Sequence, residues 1–284
     1  MAIYDIPAHN LKEEILMIPI EEGRNHHLKG THSHNFYEIL CFTETKDDSV
    51  HLIDFTAYPI KTNNIYIIKP GQVYTMELTT EKGYLVAIQA VYFERIRMFF
   101  DEHIGYRLPN LIQLDERNIE ITRRILAVLF EEYTGEHRQE LVYAHLHSFI
   151  TLLMLTHHKN AGAVKTDSRI GYLLSLIEKY YLTERETLFY SIKTSLSSKR
   201  LNVLARQELG FTVKQLVQQR LLLEAKRRIS YGDQTFKSIA FALGFKDTSY
   251  FSRFFKQNAG ITPEEFKASL TPHPDSYIPS KVLL

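Results

Sequence analysis

The sequence predicts an α+β chain in two domains. The first is a β-barrel followed by two helices, and the second is all-α, with two short helix pairs joined by a long helix. Three observations predict this. Residues 26–93 alternate apolar and polar in short runs broken by Gly, Asn, Asp and Lys, the pattern of many short strands. Beyond residue 117 the apolar spacing lengthens to that of helices. A two-helix pattern over residues 236–267 recurs in weaker form about 50 residues earlier.

A chain of 284 residues fits two domains at roughly 100–200 residues each. No apolar run reaches the roughly 18 residues that span a bilayer, and the most apolar stretch, "FITLLML" at 149–155, reads as a buried helix. The N-terminus lacks a basic region followed by an apolar one, so no secretory signal is expected. Cys41 is the single cysteine, which excludes an internal disulfide and fits a reducing cytoplasm. The net charge is +1 but unevenly placed: residues 167–284 hold 18 Lys/Arg against 11 Asp/Glu, a balance of +7. A basic half beside an acidic one points to a module that meets a polyanion, although solvated surfaces also carry a few excess charges.

Strands are expected within 36–42, 50–55, 58–60, 65–71, 74–78 and 84–93. Ile121, Ile125, Val128, Leu129 and Tyr133 recur at helical spacing over 117–133, and 140–157 reads as a second apolar helix. Such wide apolar faces need partners, which the barrel, each other or a second subunit can supply. Residues 157–168 are small, polar and aperiodic, so the domains are set at 1–160 and 169–284 with a linker at 161–168. The proline-rich stretch 271–284 reads as a loose tail.

In the later helix pair, Ile239, Ala240 and Leu243 form an apolar face that ends at Gly244, and Asp247 is placed to cap the next helix. On that helix Tyr250, Phe251, Phe254 and Phe255 are expected to be buried. Ser249, Ser252, Arg253 and Lys256 line the opposite side at helical spacing, with Thr248 in the first turn. Short polar side chains followed by cations suit a helix in a DNA major groove: hydroxyls reach base edges, and Arg or Lys reaches guanine or phosphate. The earlier pair, 187–210, has small Ser191 where Ala240 stands, Ser197 as its cap and Leu201, Leu204 and Ala205 facing inward. Its exposed stripe is Lys199, Asn202, Val203 and Arg206. Between the pairs, 212–229 reads as one helix about 27 Å long at 1.5 Å per residue, suited to placing two reading helices in major grooves about 34 Å apart. An ordinary solvated helix face would carry either stripe; the duplication, the basic charge and the connector together favour DNA.

The run "SIAFALGFKDTSYFSRFFKQNAGITPEEFK" resembles the second helix-turn-helix signature of AraC/XylS-type transcription regulators, and the resemblance covers about 167–270. It implies two helix-turn-helix units, about 187–210 and 236–258. Their groove-facing residues fall on Lys199, Arg200, Asn202 and Val203 in the first, and on Thr248, Ser249, Ser252 and Arg253 in the second. Arg206 and Lys256 join them as cations. The first unit departs from the family in having Ala205-Arg206 where a Phe-Lys pair is usual.

Residues 32–38, "HSHNFYE", have the spacing of the first cupin metal motif, with His32 and His34 on one strand face and Glu38 nearby. Tyr74, however, stands where the last metal-binding histidine of a cupin would be, so no metal or other cofactor is expected. "HNFYEI" and "IDFTAYPIKTNNIYIIKPGQ" resemble the sensor half of AraC-type regulators over roughly 20–95. That resemblance implies a cupin-like barrel holding a small effector, a sugar or another metabolite, lined by His32, His34, Phe36, Glu38, Tyr66, Gln72 and Tyr74. It further implies a homodimer through helices 117–133 and 140–157, and RNA polymerase as a partner beside promoter DNA, with no membrane partner. The expected function is a cytoplasmic, effector-controlled, non-enzymatic transcription regulator. The alternatives are a metal-dependent cupin enzyme, which bound metal at His32, His34 and Glu38 would favour, and an effector-independent DNA binder, which a collapsed barrel would favour.

Overall fold

The computed structural model describes residues 8–9, 11, 13–23, 30–45, 49–76, 80–97, 108–160, 168–232 and 234–270. They fall into two compact units, one within 7–164 and the other within 165–284.

Among its described residues the first unit holds ten strands in two sheets. One sheet has the order β1 (Ala8–His9), β3 (Gly30–His34), β8 (Tyr74–Met76), β5 (Val50–Ile53), β6 (Thr56–Pro59). The other has the order β10 (Leu111–Gln113), β7 (Asn64–Ile68), β4 (Phe36–Glu44), β9 (Lys82–Gln89), β2 (Ile15–Pro19). Among the described residues the expected barrel is therefore two five-stranded sheets with no hydrogen-bonded ring closing them. β1 pairs with β3 in parallel, and the other pairings are antiparallel.

The alternation read from the sequence sorts the side chains. Phe36, Leu40, Tyr66, Ile68, Leu85 and Ala87 of the second sheet meet Ile53, Tyr74 and Met76 of the first in one apolar cluster. The other parity of the second sheet (Ile39, Cys41, Ile65, Ile67, Val86, Ile88) packs against two helices. These are α3 (Glu116–Thr134) and α4 (Gln139–Asn160). Leu126, Leu129, Val142, Leu146, Phe149, Ile150, Leu153 and Met154 lie in that cluster, so the faces expected to seek a subunit are covered by the sheet and by each other. The sheet is thus buried on both faces, which explains the unbroken burial of β7. Gly83 sits at φ 149°, opposite the bulge in β4, and a Cβ there would lie 2.0 Å from the Cys41 carbonyl oxygen.

Two local expectations change. The apolar run 84–93 does not stay extended: the strand ends at Gln89 and α2 (Ala90–Arg97) follows, placing Phe93 and Ile96 in the core beside Tyr37. The polar stretch assigned to the linker begins inside α4, which continues to Asn160; 161–167, like the tail 271–284, lie outside the described residues. A short helix, α1 (Ile20–Gly23), follows β2.

The second unit is helical: α5 (Ser168–Tyr180), α6 (Thr187–Lys193), α7 (Ser198–Leu209), α8 (Val213–Tyr231), α9 (Phe236–Ala242), α10 (Thr248–Ala259) and α11 (Pro263–Ser269). The 19-residue connector α8, about 28 Å long, buries Val213, Val217, Leu221, Ala225 and Ile229 and packs against every other helix of the unit. Arg220 stacks over Tyr181, 4.1 Å from the ring centroid, and makes paired 2.8 Å bonds to Glu178 of α5. Burial alone would lower its pKa; the Glu178 carboxylate outweighs that and raises it. Among the described residues no helix is long and apolar enough to cross a membrane.

Candidate nucleic-acid interface and buried polar cluster

The two helix pairs of the second unit have the same internal wiring. Leu196 N donates to the Ser191 carbonyl at 3.0 Å, and Phe245 N donates to the Ala240 carbonyl at 2.9 Å. Ser195 N reaches the Ile192 carbonyl as Gly244 N reaches that of Phe241. Both turns need one left-handed residue, which is Ser195 (φ 55°) in the first unit and Gly244 (φ 75°) in the second. Ser191 is the counterpart of Ala240, and both are buried. The first turn is one residue shorter, so equivalent positions are 49 apart before it and 50 apart after it. Ser197 and Asp247 cap α7 and α10 by accepting from Arg200 N and Tyr250 N. Gly210 and Gly260 end those helices, and Thr212 and Thr262 open the following ones with capping boxes to Gln215 and Glu265.

On α10, Phe251 and Phe255 are fully buried and Phe255 meets Phe266 of α11 at 5.6 Å. The expectation that Tyr250 and Phe254 share this face is corrected. At 100° per residue Tyr250 lies far round the helix from the Phe251–Phe255 stripe, and it is 54 % exposed; Phe254 is half-buried against Phe245. Ser249, Arg253 and Lys256 are exposed and Thr248 and Ser252 half-buried, so the stripe opposite the core faces outward. The Arg253 guanidinium lies 5.9 Å from the Tyr250 ring centroid.

On α7, Leu201, Leu204 and Ala205 are buried, and Lys199, Arg200, Val203 and Arg206 are exposed. Asn202 behaves differently: it is half-buried, and its Oδ1 accepts from Val213 N at 3.0 Å, tying the reading helix to the start of α8.

The seven residues expected to line the barrel are all buried, but not all have polar atoms to offer. Gln72 Oε1 accepts from Lys69 N and Asn110 Nδ2, each at 2.7 Å, and its Nε2 donates to Asp54 at 2.6 Å; its amide fastens loops. The Tyr66 hydroxyl donates to the Pro59 carbonyl at 2.6 Å and accepts from Lys61 N. His32, His34, Phe36, Glu38 and Tyr74 do come together. His32 and Tyr74 are cross-strand partners with rings 5.3 Å apart, and His34 stacks on Phe36 at 4.3 Å. His34 Nδ1 lies 2.7 Å from the Phe36 carbonyl, which requires the proton on Nδ1 and leaves Nε2 facing Glu38 Oε2 at 4.0 Å. That contact is not an ion pair, because burial pushes the Glu38 carboxyl up to about 8. Burial, with Glu38 nearby, also raises Tyr74.

His51 belongs to this group and was missed in the sequence. It shares a strand face with Ile53, packs edge-on to Tyr66 at 4.4 Å and to Tyr74 at 5.7 Å, and burial lowers it to about 3. The signal lay in the alternation of "VHLI", which puts His51 and Ile53 on one side. Among the described residues Glu38 Oε1 and both His51 nitrogens have no hydrogen-bond partner, and no cluster of three metal-ligating side chains is present.

Comparison with known proteins agrees with the duplicated wiring. Residues 190–269 match the family model of a helix-turn-helix domain. The chain is 20 % identical over 244 residues to the HTH-type transcriptional activator RhaS of Escherichia fergusonii, covering 83 % of this chain and 86 % of that protein. It is 21 % identical over 243 residues to RhaS of Klebsiella pneumoniae, with the same coverage. Among solved structures, ToxT from Vibrio cholerae O395 aligns over 92 % of this chain and 99 % of its own at 14 % identity and a TM-score of 0.45. The second unit is a helix-turn-helix domain. Over most of its length the chain is similar to an HTH-type transcriptional activator.

Proposed function

We propose that the chain is a transcription regulator that binds double-stranded promoter DNA through α7 and α10. The observation that carries this reading is the duplicated wiring. Two units with equivalent turns, and with equivalent caps and terminating glycines on their second helices, each turn a buried stripe to α8 and an exposed one outward. In the second unit Thr248, Ser249, Ser252 and Arg253 are the base-facing set and Lys256 a phosphate contact; in the first, Lys199, Arg200, Val203 and Arg206 take those roles.

The first unit acts as the sensor. Where the two sheets pack, an aromatic and apolar cluster surrounds buried polar atoms of Glu38 and His51 that have no hydrogen-bond partner among the described residues, which supports this region as the one that takes a small polar effector. The effector would act by binding one arrangement of the chain better than another. A second copy would meet the outer face of α4. Leu141, Ala144, Ser148 and Leu155 are exposed there at helical spacing, and 141–158 hold no Asp, Glu, Lys or Arg. RNA polymerase is the partner such a regulator would engage at the promoter.

Fluorescence-anisotropy titration of duplexes selected by the full chain tests the DNA reading. Selected duplex should bind far more tightly than random duplex, with affinity falling steeply as salt rises. Equal affinity for both, or insensitivity to salt, overturns it.

A further inference from the structure

We propose that Val203 is the specificity-determining residue of the first helix-turn-helix unit and that it reads the 5-methyl group of a thymine in the major groove. This rests on the DNA-binding reading above. Val203 stands six residues after its cap Ser197, as Arg253 stands six after Asp247, so the two occupy the same place on their helices. It is 36 % exposed and lies opposite Leu201 and Ala205, the stripe packed inward. Valine is a poorer helix former than the polar residues that usually cover such a face.

Lys199 and Arg206 flank it one turn away on either side, both exposed. An apolar side chain framed by cations has one specific partner in the major groove, the thymine methyl. The residue that would compete for base reading is tied elsewhere. An asparagine reads adenine through Oδ1 and Nδ2 together, and Asn202 Oδ1 already accepts from Val213 N at 3.0 Å. The hydroxyls of the second unit, Ser249 and Ser252, are replaced in the first by Lys199 and Asn202. The two half-sites are therefore read by different chemistry, a methyl contact by Val203 and polar contacts on α10, with Lys199 and Arg206 holding phosphates.

The probe is a duplex selected from a random-sequence library by the full-length chain, in which each thymine is replaced singly by deoxyuridine, which lacks only the methyl. At one thymine the replacement should weaken wild-type binding about fourfold, the effect of losing one buried methyl. In Val203→Ala the same replacement should cost nothing further. If every thymine tolerates deoxyuridine, or if the penalty persists undiminished in Val203→Ala, the proposal is wrong while the DNA-binding reading stands. If selection enriches no sequence, that reading fails and the proposal falls with it.

Discussion

Arg253 is the cation best placed for base reading: exposed, opposite the buried phenylalanines and beside the Tyr250 ring. Arg253→Ala should weaken binding to selected duplex by about 1–3 kcal/mol and change random-duplex binding much less; an equal loss on both duplexes would make it a phosphate contact. Glu38 governs a different property. Its carboxyl titrates at about 8 in the fold against 4.5 ordinarily, so between those values the folded state keeps a proton that the unfolded state has lost. Stability then falls as pH rises from about 4.5 to about 8. Glu38→Gln removes that slope, and its melting temperature should gain on wild type steadily from pH 5 to pH 8.5. Parallel curves would place Glu38 in contact with water. His51 acts at the opposite end: lowered from 6.5 to about 3, it withdraws stability as pH falls through that window.

At the scale of elements, the duplication explains which substitutions each turn tolerates. Gly244 holds a left-handed backbone, and a Cβ on it would lie 3.1 Å from Arg185 Nη2 and 3.3 Å from the Leu182 carbonyl oxygen. The same arginine donates to the Leu243 carbonyl and covers the Phe245 ring at 4.5 Å. Gly244→Ala should therefore destabilise the second unit by about 1–2 kcal/mol, whereas Ser195→Gly, at the equivalent left-handed position, should be neutral or stabilising by up to about 1 kcal/mol. A harmless Gly244→Ala, or a destabilising Ser195→Gly, in denaturant titrations would break the equivalence of the turns. Arg220→Ala removes one of the two arginines paired with Glu224, leaving Arg228, and uncovers Tyr181. A loss of about 2 kcal/mol is expected, below that of a fully buried pair because Glu178 is largely exposed, and thermal melts would read it. The helices and caps of this unit were legible in the sequence because caps, glycines and helical periods are local signals. Tyr250 was misplaced because four aromatics in six residues do not say which flank faces the core, and Asn202 because its bond reaches eleven residues ahead to Val213.

At the scale of the molecule, the charge split anticipated an acidic β unit and a basic helical one. What the sequence left open in the β unit is non-local. The pairing of β5 with β8 decides that His51 joins Tyr74, and loop bonds decide that Gln72 and Tyr66 have little polar capacity left. The outer faces of α3 and α4 could not be told from their inner ones by period alone, because α4 is apolar nearly all round.

The central claim is that α7 and α10 both read DNA. Dimethyl sulfate and hydroxyl-radical footprinting of the full chain on a selected duplex tests it most directly. Two major-groove footprints should appear per chain, about one helical turn apart and on one side of the duplex, and Arg253→Ala should erase one of them while leaving the other. A single footprint, or two that vanish together with Arg253, would contradict it.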